Sequence, residues 1–327
     1  MSPGRTPGRG GLFAAVVLLA GFAAGPVPAQ VNRDVVRIVS PFAAGGGREV
    51  LARTFINEFS AALGETVIID NRPGAGGVTG TVFAAHAPAE GRVLLMTATN
   101  HNIAPLIESP APYDPNEFAG VAPIGTGSNV LAVNAQTPFR SVDALIRYAK
   151  ANPGKLNFSS AGVGASSHLA MAYFLGAAGI ELIHVPYKST NAAAMEMVAG
   201  RVQATFITAA EVQPFLKDPR VRILGVASAR GSPFLPGVPS IAQSVPGFSY
   251  ESWWGLLVPA ATPRGMVERL NAAMRKALST PAVVERIHRL SIEPRTLSPA
   301  EFDAFLRADV DTARRMVKAA GLDNLRQ

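Results

Sequence analysis

Several runs of small residues are placed where backbone N–H groups can meet an anion. Gly45, Gly46 and Gly47 follow a short apolar strand, Val35-Val36-Arg37-Ile38-Val39, and open a helix. A second run, Asn71-Arg72-Pro73-Gly74-Ala75-Gly76-Gly77, follows another apolar stretch. Further on, Leu156-Asn157-Phe158 leads into Ser159-Ser160-Ala161-Gly162-Val163-Gly164-Ala165-Ser166-Ser167 and a further helix. The first N–H groups of a helix have no partner inside it and carry its positive dipole end. A chain holding such cradles in each of two lobes can close them on a carboxylate.

Other chemistries lack their residues. Gly74 and Gly76 fit a dinucleotide fingerprint, but its third glycine position holds Thr79; after Gly162 and Gly164 that position holds Ser167. No G-x-x-x-x-G-K-[ST] loop occurs, which argues against nucleoside triphosphates. Ser166 and His168 suggest a hydrolytic pair, yet residues two apart on a helix do not face each other. No G-x-S-x-G elbow presents a nucleophile. The five histidines (His86, His101, His168, His184, His288) have no metal-ligand spacing and read as structural, with His168 kept as a ligand neighbour. The chain contains no cysteine, which removes disulfides, thiolate metal sites and catalytic thiols. No cofactor or metal is expected. Tyr187-Lys188 stands at the C-terminal end of a predicted strand, where α/β sheets bind ligands. Of Trp253 and Trp254, one is expected in the core and the other against the cleft or hinge.

The elements that would position these groups alternate. Short β-branched strands are predicted at 35–40, 66–70, 93–97, 130–134, 182–185, 204–207 and 222–226, with helices between most of them. Val50, Leu51, Thr54, Phe55, Phe59 and Leu63 form one helical stripe. Ser141 is placed to cap a helix over 142–151, Thr262-Pro263 to cap the next-to-last helical region, and Ser298-Pro299-Ala300-Glu301 reads as a capping box. Repeated βα units predict a mostly parallel sheet with flanking helices in each of two lobes. The lobes are expected at 31–127 plus 251–327 and at 128–250, with two crossings as a hinge. Arg5 and Arg9, an apolar run over 11–24 and Val27-Pro28-Ala29 read as a cleaved secretory signal over 1–29, too short to span a bilayer. The formal charge is +7, two of it in that leader, and the basic residues are scattered rather than striped, so nucleic acid is not an expected partner. A hydrophobic fraction of 48% against 16% charged supports a packed core.

Taken in order, these segments resemble the Bug family of extracytoplasmic solute receptors, the binding component of tripartite tricarboxylate transporters. The carriers are Pro41-Phe42-Ala43-Ala44 with the glycines after it, Asn71-Arg72-Pro73-Gly74, Pro153-Gly154-Lys155-Leu156, Ser167-His168-Leu169, His184-Val185-Pro186-Tyr187, Pro236-Gly237-Val238-Pro239 and Ser252-Trp253-Trp254-Gly255. The resemblance implies an α/β, two-lobed periplasmic binding protein fold of type II-like form, monomeric, hinged and non-enzymatic. It implies a small carboxylate ligand and transient contact with membrane transporter subunits. Backbone amides and bridging waters of lobe one would grip one carboxylate, at loops containing Phe42, Ala44, Gly45, Gly76, Gly77 and Val78, flanked by Thr99 and Asn100. The distal end would meet Ser160, Gly162, Ser166, His168 and Tyr187.

This chain departs from the family pattern at two places. Arg48-Glu49 stands where a small hydroxyl residue and aspartate are usual, and Ile207 follows Phe206 where aspartate is common. Thr208, next along, is kept in the ligand-binding set. The missing aspartate disfavours amino acids and points to a non-amino mono- or dicarboxylate. A sensing receptor for a two-component system, or an α/β enzyme, are the alternative readings.

Overall fold

In a computed structural model, residues 35–322 are described apart from 43, 45, 46, 109 and 164. The signal expected over 1–29 and Gly45, expected to bind ligand, lie outside the described residues. In chain order the first half runs β1 (Val35–Ser40), α1 (Gly47–Arg53), α2 (Ile56–Leu63), β2 (Thr66–Asn71), α3 (Val78–Ala85), β3 (Val93–Ala98), α4 (Asn100–Ile107) and β4 (Phe118–Asn134). It continues through α5 (Val142–Ala151), β5 (Asn157–Ser160), α6 (Ser166–Ala178), β6 (Ile183–Pro186), α7 (Thr190–Val198), β7 (Ala204–Thr208), α8 (Ala209–Val212) and β8 (Val221–Val226). The chain returns by β9 (Glu251–Pro259), α9 (Arg264–Leu278), α10 (Pro281–His288), β10 (Glu293–Pro294) and α11 (Pro299–Ala319).

Strand β4 belongs to two neighbourhoods. From Phe118 to Ser128 it pairs antiparallel with β9, and from Asn129 to Val133 it pairs antiparallel with β7. β1 pairs parallel with β2 and β3, and β9 joins β3 antiparallel. On the far side β5 pairs parallel with β6 and β7, while β8 lies antiparallel along the end of β4. The outer strands are parallel, as βα units require. The middle of the sheet is antiparallel because β4 and β9 run between the two halves in opposite directions.

Alternate residues along these strands feed different cores, as a pleat dictates. Val36, Ile38, Leu94, Met96, Leu256 and Val258 pack with α2, α9 and α10, whereas Val39, Leu95, Trp253 and Leu257 face α3 and Phe302. With both faces covered, the strands read as nearly continuous apolar runs. In the other half Leu131 and Val133 share a core with α5 and α6, and Val130 and Ala132 point the opposite way. Helix α11 reaches both halves: Phe302 lies in the core beside Trp253, and Ala313, Met316 and Val317 lie in the core beside Phe174. Its 21 residues span about 30 Å, enough to join the two.

Two local expectations are corrected. The stripe from Val50 to Leu63 is two helices, and Val50 is exposed while Leu51, Phe55, Phe59 and Leu63 are buried. The Thr54 hydroxyl donates to the Leu51 carbonyl at 2.6 Å, a local bond that competes with the helix ladder at the break. Thr262 does not cap α9: Pro263 occupies the cap position, and the Thr262 hydroxyl is buried without a partner among the described residues. The Thr262 amide turns back to the Pro259 carbonyl at 2.9 Å, so this residue closes a turn instead. Ser141 and Ser298 cap as predicted, Ser298 in a reciprocal box with Glu301.

Candidate ligand-binding site

The loops after β1 and β2 are tied together. The Asn71 side-chain amide donates to the Phe42 carbonyl at 3.1 Å, and the Arg72 amide donates to the Ser40 carbonyl at 2.8 Å. Gly74 (φ 141°) and Gly77 (φ 105°) hold conformations that L side chains rarely adopt, and a short 3-10 turn over Ala75–Gly77 delivers the chain into α3. That helix starts at Val78 with no side-chain cap; the turn before it engages the first amides instead, Val78 donating to the Ala75 carbonyl and Thr79 to the Gly74 carbonyl at 3.5 Å. The Phe42 ring packs on the bare face of Gly77: a Cβ there would sit 3.1 Å from the ring. Ala44 is exposed and Val78 is half-buried.

Arg48, in the first turn of α1, reaches over this floor. Its guanidinium lies 4.0 Å from the centroid of the Phe42 ring, and its Nη2 donates to Asn100 Oδ1. Nη1 is sealed from solvent and has no hydrogen-bond partner among the described residues. Burial pushes the guanidinium down to about 10. His101, buried against Tyr113 and Phe118, is pushed down to about 3 by its burial and by the Arg48 charge. Thr99 is buried, its hydroxyl accepting from the Trp253 amide at 3.1 Å, and therefore holds β9 rather than standing free.

In the other half, Ser160, Gly162, His168 and Tyr187 lie about the ends of β5 and β6. The Ser160 hydroxyl is 2.6 Å from His184 Nε2 and accepts from the Gly162 amide at 3.1 Å. The His168 and His184 rings stack with centroids 4.1 Å apart, and His184 stacks in turn on Phe158 at 4.7 Å. Burial, with His184 alongside, pushes His168 down to about 4, and burial also lowers His184, so both rings are neutral near pH 7. The Tyr187 amide donates to the Ser160 carbonyl at 2.9 Å, but its hydroxyl turns away to Glu196 at 3.3 Å. Ser166 is exposed at the start of α6. Thr208 caps α8 in a reciprocal box with Glu211, which occupies its hydroxyl.

A cavity of about 730 Å³ opens beside the crossing strands, lined by Phe42, Arg48, Ser128, Thr208, Trp254 and Ile292 among others. Its size falls in the range of small-molecule sites. Of the expected residues it gathers Phe42 and Thr208; Ser160, Gly162, Ser166, His168 and Tyr187 do not line it. Trp253 is wholly buried and Trp254 lines the cavity, which settles how the pair divides. Sequence reasoning treated Arg48 only as a departure and missed Ser128 and Ile292. A signal for Arg48 existed, because a cation in the first turn of a helix opposes the dipole. Among the described residues no cluster of His, Cys, Asp or Glu is arranged to hold a metal ion, and no helix is long and apolar enough to cross a membrane.

A family model described as the tripartite tricarboxylate transporter family receptor matches residues 51–322. The chain belongs to that family. The receptor is 36% identical over 289 residues to the UPF0065 protein in the tcbD-tcbE intergenic region of a Pseudomonas species, covering 88% of this chain and 86% of that one. It is also similar to an R. palustris protein solved with adipate, at 29% identity and a TM-score of 0.74, covering 89% of this chain and 99% of that one. MatC from Rhodopseudomonas palustris with bound malate matches at 26% identity and a TM-score of 0.70, covering 86% of this chain and 98% of that one. The receptor thus has the two-lobed binding-protein fold that the sequence motifs pointed to.

Proposed function

We propose that this receptor captures a small carboxylate between two lobes in the periplasm and delivers it to a tripartite tricarboxylate-type membrane transporter. The observation that carries this reading is the buried Arg48 guanidinium at the wall of the cavity, with which no carboxylate pairs among the described residues. Neighbours solved with adipate and with malate support a carboxylate as the ligand. A leader over 1–29 cleaved on export, a monomeric receptor and the absence of catalysis belong to the same reading.

The lobes are 31–127 with 251–327, and 128–250. This division is supported by the exchange of partners along β4, which leaves β9 at Ser128 and joins β7 at Asn129. Closure would bring Phe42, Ala44, Gly45, Gly76, Gly77, Val78, Thr99 and Asn100 toward Ser160, Gly162, Ser166, His168, Tyr187 and Thr208. The ligand carries no ammonium group, because the position after Phe206 holds Ile207, buried in the core, where an aspartate could have met one. Calorimetric titration of the protein lacking residues 1–29 tests the reading. Adipate or malate should bind with a Kd around micromolar, about −8 kcal/mol, and aspartate should not. A full panel of carboxylates giving no heat and no thermal shift would refute it.

A further inference from the structure

We propose that Arg48 is the anchoring cation of the binding site, pairing directly with a carboxylate of the ligand whose apolar body lies against Phe42, Trp254 and Ile292. This rests on the receptor reading above and deepens it, since Arg48 replaces the small hydroxyl residue that the family pattern leads one to expect. The ligand class is then an organic acid with an apolar body.

Four observations converge. Arg48 stands in the first turn of α1, where the helix dipole opposes a cation. Its guanidinium is buried, yet among the described residues no carboxylate pairs with it, and Nη1 is without a partner. The acids nearby are engaged elsewhere: Glu49 pairs with Arg53 and Glu211 with the Thr208 cap. Finally, the Phe42 ring supports one face of the guanidinium and Asn100 fixes one nitrogen, which orients the planar fork at the wall of an otherwise mainly apolar cavity. A buried, unpaired charge is unfavourable in the empty protein, and a ligand carboxylate beside the guanidinium supplies what it lacks. The same carboxylate would leave an apolar remainder against aromatic and aliphatic walls, where burial is favourable.

The test compares wild type, R48M and R48K by calorimetry with adipate, malate and benzoate, alongside thermal unfolding without ligand. Wild type should bind at least one acid, R48M roughly 10- to 100-fold more weakly, and R48K in between because the charge stays and the fork is lost. Ligand-free R48M should unfold at the same temperature as wild type or higher, an outcome that a purely structural arginine would not give. Wild-type affinity should fall with added salt, and that dependence should flatten in R48M. Unchanged affinity in R48M with wild-type binding intact overturns the anchor and leaves the receptor reading standing. No binding of any acid by wild type overturns both. Should R48M fail to fold, R48K decides: weakening of fivefold or more supports the anchor, and wild-type affinity overturns it.

Discussion

The side-chain amide of Asn129 donates to the Ser252 hydroxyl at 3.0 Å, bridging the two strands that cross between the halves of the sheet. Both residues are buried, and Asn129 is the point at which β4 exchanges β9 for β7. Asn129→Ala should lower unfolding stability by about 1–3 kcal/mol, since it strands the Ser252 hydroxyl away from water. Urea denaturation of the single and double variants with Ser252→Ala measures it. A coupling energy near zero would show that the bridge does not hold the crossing.

Gly77 separates backbone strain from site geometry. At φ 105° with Phe42 against it, Gly77→Ala should cost about 1–3 kcal/mol and displace the aromatic floor under Arg48. Gly179→Ala offers the comparison, because Gly179 (φ 61°) ends α6 with open space around the missing Cβ. Both variants should lose stability on thermal melting, but only the Gly77 variant should lose carboxylate affinity. Equal affinities in the two would remove Phe42 from the site.

Phe302 is the keystone of the core between α11 and the crossing strands. A Cβ on Gly255 would lie 2.5 Å from its ring and one on Gly120 2.7 Å, so two glycines exist to admit it. Phe302→Ala should cost about 3–5 kcal/mol by leaving a cavity where rigid strands cannot collapse. Guanidinium melts read the loss directly. A cost below 1 kcal/mol would mean that α11 is not fastened at this point.

Stability should fall on acidification from pH 6.5 toward pH 4. His168 and His101 hold folded values of about 4 and about 3, below the ordinary value of 6.5. As pH drops through 6.5 the unfolded chain takes up protons that the folded chain refuses. Each histidine therefore removes up to about 1.4 kcal/mol per pH unit until its folded value is reached. Denaturation curves between pH 7 and pH 4 should show this slope, and His168→Asn should reduce it by about one proton. An unaltered slope in that variant would show that His168 is not held neutral.

Much of this architecture is legible in short stretches of sequence. The β-branched runs at 35–40, 93–97 and 204–207 became strands, and Ser141 and Ser298 became caps, because neighbours within four residues decide those features. The stripe that began at Val50 failed for a local reason too, a threonine hydroxyl bonding the backbone, which periodicity does not weigh. The candidate site was half legible. Glycine runs announced the loops around Gly77 and Gly162, and the tryptophan pair announced one core residue and one at the cleft or the hinge.

By itself the sequence determined the glycine loops, the alternation of strands and helices, the helix starts and the family motifs. The tertiary structure decided which tryptophan faces the cavity, since the pleat of β9 sets adjacent residues on opposite sides of the sheet. It also decided that β4 would serve two sets of partners and that α11 would join two cores. Above all it decided the state of Arg48, whose partner Asn100 is 52 residues away and whose supporting ring, Phe42, comes from the preceding loop. Helix and strand periods are local, but the solvation of a charge depends on every atom folded around it.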